Sequence, residues 1–263
     1  MENDTIEIFR KEMDATGLSV SAKQIDQFSL YYDLLVEWNS KINLTRITEP
    51  VDVCRLHFMD SIAPMRFVSF EERSLIDIGT GAGFPGIPLK ITNPSLKLTL
   101  LDALDKRCRF LKEVTDSLGL DNVTIIHGRA EDAASGKLKL CDNKAVSIIN
   151  ISEDEKDTDV SLRGRYDFAT SRAVAKLNIL CEYAVPFLKT GGRFVAYKSL
   201  DENNTELGDA GKAMQILGAV CERHEDYSVP GHANDRTLYF ILKEKETPEK
   251  YPRRTGLPDK KPL

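Results

Sequence analysis

Residues 75–86 read Leu75-Ile76-Asp77-Ile78-Gly79-Thr80-Gly81-Ala82-Gly83-Phe84-Pro85-Gly86 and form the most informative segment of the chain. An apolar run carrying one acid gives way to four glycines, which predicts a buried strand, a Gly-rich turn and the start of a helix. Glycines permit positive φ and let backbone N–H groups approach a ligand without a Cβ in the way. A lone Gly-rich turn is more often structural than functional, so the interpretation depends on the rest of the chain.

From this segment onward, predicted strands alternate with predicted helices. The strands are expected at 75–78, 96–101, 123–127, 166–171, 193–197, 220–227 and 237–242, with a short extra candidate at 146–149. The helices are expected at 86–91, 106–118, 177–188 and 206–217. Such alternation indicates a doubly wound α/β fold with a mostly parallel, seven-stranded sheet. The connection at 228–236 is too short for a long helix, so the last two strands are expected to form an antiparallel hairpin.

The organisation predicted along the chain is a helical extension over 1–70, a core over 71–243 and a basic tail over 244–263. Within the extension, Ser21 and Gln24 have the spacing of a capping box, and the apolar residues that follow lie on one helical face. A second helix is predicted over 51–65. The acidic segment within 133–164 breaks the alternation and is expected to be an exposed excursion.

Composition indicates a globular protein of 263 residues, with 41% hydrophobic and 29% charged residues. The sequence starts with acidic residues and contains no apolar run long enough to span a bilayer, so we expect a cytoplasmic protein that makes no membrane contact. Five widely spaced cysteines without a CxxC pair argue against a local zinc site and predict reduced, buried thiols.

The charge distribution separates the C-terminus from the rest of the chain. The whole chain has a net charge of −5, yet residues 243–263 contain seven Lys or Arg against four Asp or Glu. A basic tail on an acidic body is suited to contact phosphate groups. Charge alone nevertheless favours a solvated terminus over a nucleic-acid-binding arm.

The glycine turn fits two cofactor classes in two different registers. Residues 81–86 match the GxGxxG dinucleotide fingerprint, with Asp102 at the expected distance for a ribose, but Pro85 then lies where the turn should present N–H groups. The earlier register, from Asp77 through Gly79 and Gly81 to Gly83, resembles motif I of class I S-adenosylmethionine (SAM) methyltransferases. Asp102 ends the second strand and Glu131 follows the third, which favours SAM over NAD.

Motifs that the chain lacks argue against some classes of methyl acceptor. The fourth strand ends at Ser171-Arg172, without the Asn/Asp-Pro-Pro-aromatic motif of exocyclic-amine methyltransferases. No cysteine lies in a Pro-Cys setting that would indicate a covalent nucleophile. An acceptor that is already nucleophilic, such as a ring nitrogen, fits best, and we expect direct in-line transfer with no covalent catalyst and no metal.

Several segments together closely resemble the RsmG (GidB) family. They are Trp38-Asn39, Asn43-Leu44-Thr45, Arg55 to Ser61, Asp77 to Leu89, Leu100 to Asp102 with Lys106-Arg107, Gly128 to Glu131, Ser171 to Ala173 and the tail from Thr247. The resemblance implies a class I SAM-dependent methyltransferase fold and methylation of guanine N7 in a conserved loop of 16S rRNA. The SAM-binding residues that the turn and the resemblance imply are Gly79, Gly81, Gly83, Phe84, Asp102, Ala130, Glu131 and Arg172.

The resemblance also implies a partner, namely 16S rRNA in the small ribosomal subunit or in an assembly intermediate, and we expect a monomer. Arg172 has two open roles, in binding SAM or in steadying RNA. Asn43, His57 and Lys198 are candidates for RNA contact, with structural roles as the alternative. Ser199, Thr237 and the long acidic excursion depart from the family pattern. A small-molecule methyltransferase and a non-catalytic RNA-binding or regulatory protein are the alternative functions.

Overall fold

A computed structural model describes residues 1–136, 148–150, 161–201, 203, 205–232 and 236–263, with backbone alone for 148–150. Over these residues, eight strands form one sheet in the order β4-β3-β2-β1-β5-β6-β8-β7. The strands are β1 Ser74–Ile78, β2 Lys97–Asp102, β3 Val123–His127, β4 Ile148–Asn150, β5 Tyr166–Arg172, β6 Leu188–Ser199, β7 Ala219–Tyr227 and β8 Arg236–Lys243.

The strand order confirms the predicted α/β class. Strands β1 to β6 pair in parallel, and β8 runs antiparallel to both β6 and β7, as the short connection at 228–236 predicts. The eighth strand is β4, at the edge beside β3, where the sequence predicts a short strand. Most of the predicted acidic excursion, residues 137–147 and 151–160, lies outside the described residues.

The chain reverses its direction of travel across the sheet at β1. It moves outward from β1 through β2 and β3 to β4, and then returns to β5, which pairs with the other side of β1. In doubly wound sheets such a switch point opens a crevice beyond the carboxyl ends of the strands. The Gly-rich turn after β1 therefore lies at the position where ligands bind in this fold class.

Helices cover both faces of the sheet. They are α1 Asn3–Ala15, α2 Ala22–Ile42, α3 Pro50–Val53, α4 Asp60–Ile62, α5 Gly86–Thr92, α6 Asp105–Ser117, α7 Ala130–Ala134, α8 Leu177–Ala184, α9 Thr205–Leu217 and α10 Leu257–Lys260. Alternate residues of β1 enter different apolar clusters, with Leu75 in one and Ile76 and Ile78 in the other. This alternation places one hydrophobic core on each face of the sheet.

The N-terminal helices pack against the first of these cores. Ser21 and Gln24 form the predicted capping box at the start of α2. Two glutamines of α2 also bind backbone carbonyls of the core: Gln24 Nε2 donates to the carbonyl of Ile91, and Gln27 Nε2 donates to the carbonyl of Leu118. The buried face of α2 contains Ile25, Phe28, Tyr31 and Leu35.

The segment 50–66 is helical but irregular. Between α3 and α4 it forms a π-turn over Cys54–Met59, and it ends in a 3₁₀ turn over Ala63–Arg66. The sequence predicts an ordinary helix here and is wrong in that detail, because the spacing of apolar residues does not separate one extra residue per turn from a regular helix. The π-turn contains His57 and immediately precedes Asp60.

The C-terminal tail folds back on the core. Tyr251 and Pro258 are buried, and the Arg253 guanidinium pairs with the buried Glu182 on α8. The solvated terminus that charge alone favours is therefore wrong for this part of the tail. Among the described helices, none is long and apolar enough to cross a membrane.

Candidate functional site

The turn after β1 requires its glycines. Gly79, Gly81 and Gly83 have φ values of +68°, +62° and +94°, which disfavour residues that carry a Cβ. A Cβ on Gly79 would also lie 2.7 Å from Cγ2 of Val174, and one on Gly83 would lie 2.5 Å from Cδ1 of Ile87. Gly79 and Val174 lie at the wall of a cavity, whereas Gly83 packs against the start of α5.

Asp77 braces this turn from inside the protein. Its side chain is fully buried, and Oδ2 accepts hydrogen bonds from Thr80 Oγ1 at 2.6 Å and from the Gly86 backbone N–H at 2.9 Å. Burial raises the pKa of Asp77 to about 6, while these donors act in the opposite direction. Asp77 therefore shapes the turn and does not project into a cavity.

Asp102, at the end of β2, links the turn to the neighbouring strand. The Gly81 N–H donates to Oδ2 and the Leu104 N–H to Oδ1, each at 2.9 Å, while Arg107 Nη1 lies 3.3 Å from Oδ2. Only 3% of Asp102 is exposed. Backbone donors on both oxygens fix the orientation of this carboxylate at the crevice.

A cavity of about 210 Å³, the β3-side cavity, contains four of the predicted cofactor residues. Its wall includes Gly79, Asp102, Ala130 and Glu131, which come from three different strand ends. The rest of the wall includes Val174, Ala175, Tyr183 and Asp259. The cavity thus brings together two acids, Asp102 at the end of β2 and Glu131 after β3, and their role in binding an adenosine stays a prediction.

The other predicted residues of the turn lie beside this cavity and not in its wall. Gly81 acts through its N–H on Asp102, and Gly83 faces Tyr31 and Ile87. The ring of Phe84, 6% exposed, stacks on His57 with centroids 4.5 Å apart. The predicted cofactor residues outside the lining of the β3-side cavity are therefore Gly81, Gly83, Phe84 and Arg172.

Arg172 lines a second cavity of about 450 Å³, the β6-side cavity. Its Nη1 lies 2.6 Å from Asp60 Oδ2 and 3.1 Å from the carbonyl oxygen of Leu56, and its Nη2 lies 3.3 Å from His57 Nδ1. The guanidinium is also 5.1 Å from the Phe84 ring centroid. Lys198 of β6, proposed from the sequence as an RNA contact, lines this same cavity.

His57 stays neutral at physiological pH. Burial and the nearby Arg172 lower its pKa to about 3, although Asp60 acts in the opposite direction. Thr45 Oγ1 lies 2.8 Å from His57 Nε2, so each ring nitrogen has a polar neighbour. Asn43, the third sequence candidate for RNA contact, has φ of +49° and ends α2, away from the lining of this cavity.

The two cavities share one wall, the segment 172–175 that follows β5. Arg172 and Ala173 line the β6-side cavity, whereas Val174 and Ala175 line the β3-side cavity. Ala173 has φ of +57°, an unfavourable value for a residue with a Cβ. Lys198 Nζ holds the segment by donating to the Ala175 carbonyl at 3.0 Å. A two-chambered site therefore lies at the switch point of the sheet.

Sequence reasoning missed Asp60. This residue is 3% exposed and receives hydrogen bonds from Tyr227 at 2.6 Å and Arg236 at 3.1 Å, in addition to Arg172. An acid within the apolar pattern of a predicted helix is the signal that points to such a buried partner. The sequence does not identify the cationic partners of Asp60, because they lie more than 100 positions away.

The described thiols are unsuited to nucleophilic catalysis. Cys54, Cys108 and Cys181 are buried and unpaired, as predicted, and Cys221 is half-buried. Burial raises the pKa of Cys54 and of Cys108 to about 12, so both remain protonated at neutral pH. No cluster of His, Cys, Asp and Glu among the described residues is arranged to hold a metal ion.

Comparison with known sequences connects this chain to one family. A family model described as "rRNA small subunit methyltransferase G" (GidB) matches residues 24–236. "Ribosomal RNA small subunit methyltransferase G" from Lactobacillus johnsonii is 42% identical over 262 residues, covering 98% of this chain and 99% of that protein. The protein of the same name from Lactococcus lactis subsp. cremoris is 43% identical and covers 94% of each chain.

Solved structures share the fold at low sequence identity. TYW2 from P. horikoshii, in complex with MeSAdo, superposes with a TM-score of 0.51 at 9% identity, covering 72% of this chain and 63% of that one. TYW2 from M. jannaschii, in complex with AdoMet, has a TM-score of 0.51 at 16% identity, covering 71% and 76%. These likenesses support the Rossmann-like fold.

Proposed function

The chain belongs to the rRNA small subunit methyltransferase G (GidB) family, and we propose that it methylates N7 of a guanosine in a conserved loop of 16S rRNA, with SAM as the methyl donor. The acceptor is the RNA of the small ribosomal subunit or of an assembly intermediate. The protein works in the cytoplasm as a monomer. Transfer is direct and in line, without a covalent intermediate on the enzyme.

The β3-side cavity suits the adenosine part of the donor. Asp102, with both oxygens oriented by backbone N–H groups, provides acceptors for a ribose diol. Ala130 and Glu131, after β3, lie where the adenine is held, and Gly79 leaves open space that a Cβ would reduce. When bound, SAM supplies a methyl group made electrophilic by its sulfonium charge. Gly81, Gly83 and Phe84 support this site through the turn, as proposed from the sequence.

The β6-side cavity suits the acceptor base. Its lining contains three cations, Arg172, Lys198 and Arg236, against the two acids with which they pair, Asp60 and Glu206, and this excess of positive charge favours contact with an RNA backbone. Guanine N7 carries an unprotonated lone pair at neutral pH, so the enzyme needs no general base. The buried Asp60 fits that expectation, because its carboxylate is already bonded to Arg172, Arg236 and Tyr227.

One observation carries this proposal: the two cavities are separated by only the segment 172–175. Adjacent donor and acceptor sites allow two substrates to be held in reacting geometry. Positioning of this kind lowers an activation barrier by up to about 7–11 kcal/mol in favourable cases. On this basis Arg172 belongs to the acceptor side of the wall, the second of the two roles that the sequence leaves open.

A transfer assay tests the proposed function. The full chain is incubated with SAM labelled on its methyl group and with small ribosomal subunits or free 16S rRNA that lack the modification. We expect label in 16S rRNA, and none with an Asp102→Ala variant. SAM binding without transfer to any RNA substrate would favour the non-catalytic alternative. Label confined to small molecules in an added extract would favour the small-molecule alternative.

A further inference from the structure

The C-terminal tail is attached to the core by polar contacts. Arg163 donates hydrogen bonds to the backbone carbonyls of Thr247, Pro248 and Tyr251. Thr247 Oγ1 in turn donates to the Leu217 carbonyl at 2.8 Å. Because these contacts involve backbone groups of the tail, they fix its path and not only its side chains.

A second attachment lies closer to the β3-side cavity. Glu182 of α8 is 1% exposed and receives four hydrogen bonds from Arg253. The backbone N–H and Nε donate to Oε1, each at 2.8 Å, while Nε and Nη2 donate to Oε2 at 3.1 and 2.6 Å. A two-pronged contact of this kind restrains both position and orientation. This contact therefore holds the residues that follow Arg253 at a defined position on the core.

That place is the start of α7, which carries a predicted cofactor residue. The Gly256 N–H donates to Glu131 Oε1 at 2.9 Å, and Thr255 Oγ1 donates to Asp132 Oδ1 at 3.0 Å. Glu131 is 5% exposed, so its carboxylate depends on such partners for its orientation. The tail thereby fixes one oxygen of an acid that lines the cavity.

Asp259 then reaches the cavity itself. It lines the same space as Ala130, Glu131 and Tyr183, and the Tyr183 side chain hydrogen-bonds to it. Asp102 lies in the wall formed by the end of β2, whereas Asp259 is brought in by the tail. The cavity therefore has an acidic acceptor that does not belong to the methyltransferase sheet.

We infer that residues 253–259 form part of the donor site, with Asp259 accepting a hydrogen bond from the adenine amino group and Gly256 orienting Glu131. This inference rests on the proposed function. An adenosine offers hydrogen-bond donors at its ribose hydroxyls and at its amino group. Asp102 serves the hydroxyls in the proposed site, and Glu131 Oε1 already accepts a hydrogen bond from the Gly256 N–H, so the amino group is assigned to Asp259.

Calorimetric titration of the full chain with two ligands tests the assignment. S-adenosylhomocysteine carries the amino group, whereas S-inosylhomocysteine has a carbonyl oxygen in its place. We expect Asp259→Ala to weaken S-adenosylhomocysteine binding about tenfold to a hundredfold, as for loss of a hydrogen bond to a charged group, and to leave S-inosylhomocysteine binding within threefold. The preference of the protein for adenine over hypoxanthine then falls at least about threefold.

The matched control is Lys261→Ala, an exposed tail residue outside the cavity lining, which should bind both ligands as the natural protein does. Amide hydrogen exchange of residues 253–259 provides a second readout and should slow when S-adenosylhomocysteine binds. An unchanged adenine preference in Asp259→Ala, or unchanged exchange in the tail, overturns the inference. If the natural protein binds S-adenosylhomocysteine and methylates RNA, that result leaves the proposed function intact; if it does neither, the proposed function itself fails.

Discussion

Arg172 Nη1 lies 2.6 Å from Asp60 Oδ2, which joins the end of β5 to the irregular helical segment 50–66. The two side chains are 14% and 4% exposed, so this ion pair is largely removed from water. Tyr227 and Arg236 complete the set of donors around Asp60. A buried carboxylate with three partners holds Arg172 and Arg236 in fixed positions at the wall of the β6-side cavity.

Replacing Arg172 separates its two possible roles. We expect Arg172→Lys to reduce methyl transfer to RNA at least tenfold, because an ammonium group cannot contact Asp60, Leu56 and His57 together. S-adenosylhomocysteine affinity should stay within threefold, since Arg172 lines the other cavity. Arg109→Lys, at an exposed site on α6, is the control. A loss of S-adenosylhomocysteine affinity as large as the loss of transfer would assign Arg172 to the donor site.

The glycine turn predicts a position-specific effect of adding one methyl group. Gly79→Ala and Gly119→Ala both place alanine at φ near +60°, which costs about 1 kcal/mol of stability in each. Only at Gly79 does the new Cβ approach another side chain, 2.7 Å from Val174. We expect Gly79→Ala to weaken S-adenosylhomocysteine binding at least tenfold and Gly119→Ala to leave it unchanged, as measured by calorimetry. Equal affinities would remove Gly79 from the donor site.

Asp77 predicts a pH-dependent stability difference. Its pKa is raised from an ordinary value of 3.8 to about 6, so its contribution to stability is present below pH 3.8 and is lost as the pH rises through 6. Relative to the natural protein, Asp77→Asn should therefore gain about 2 kcal/mol between pH 4.5 and pH 7, because asparagine does not titrate. Urea unfolding of both proteins at the two pH values measures this change. A difference that is constant with pH would mean that Asp77 has an ordinary pKa.

The ion pair between Arg253 and Glu182 predicts that two neighbouring arginines contribute unequally to the stability of the protein. Arg253→Ala leaves Glu182 buried without its cation and should destabilise the protein by about 3–5 kcal/mol in urea unfolding. Arg254→Ala, at an exposed position, should change stability by less than about 0.5 kcal/mol. The double variant Arg253→Met with Glu182→Met should recover much of the loss, since no unpaired charge remains. Equal effects of the two single alanine variants would contradict the anchoring role.

The sequence predicts the sheet well because its signals are local. The runs that form β1, β2 and β3 are apolar and bounded by turn residues, which indicates buried parallel strands. The sequence also predicts that Asp102 and Glu131 lie close together, because the carboxyl ends of parallel strands meet at one edge, and both line the β3-side cavity. The start of α2 was equally readable, since Ser21 and Gln24 are three residues apart.

What the sequence does not predict depends on contacts between distant segments. Asp60 and Arg172 are 112 positions apart, and Glu131 and Gly256 are 125 apart. No local pattern specifies such pairs, and a helical pattern gives no indication of the π-turn that positions His57. The prediction of a solvated tail failed for the same reason. The net charge of the tail does not reveal that Arg253 has a buried partner.

The position of the transferred methyl group decides whether the chain is a guanine-N7 methyltransferase of 16S rRNA. RNA from small subunits treated with the full chain and SAM is reduced with borohydride and cleaved with aniline, which breaks the backbone at N7-methylguanosine. We expect cleavage at one guanosine of 16S rRNA with the natural protein, and none at that guanosine with Asp102→Ala. Methyl groups incorporated into RNA without that cleavage, or no incorporation although S-adenosylhomocysteine binds, would contradict this expectation.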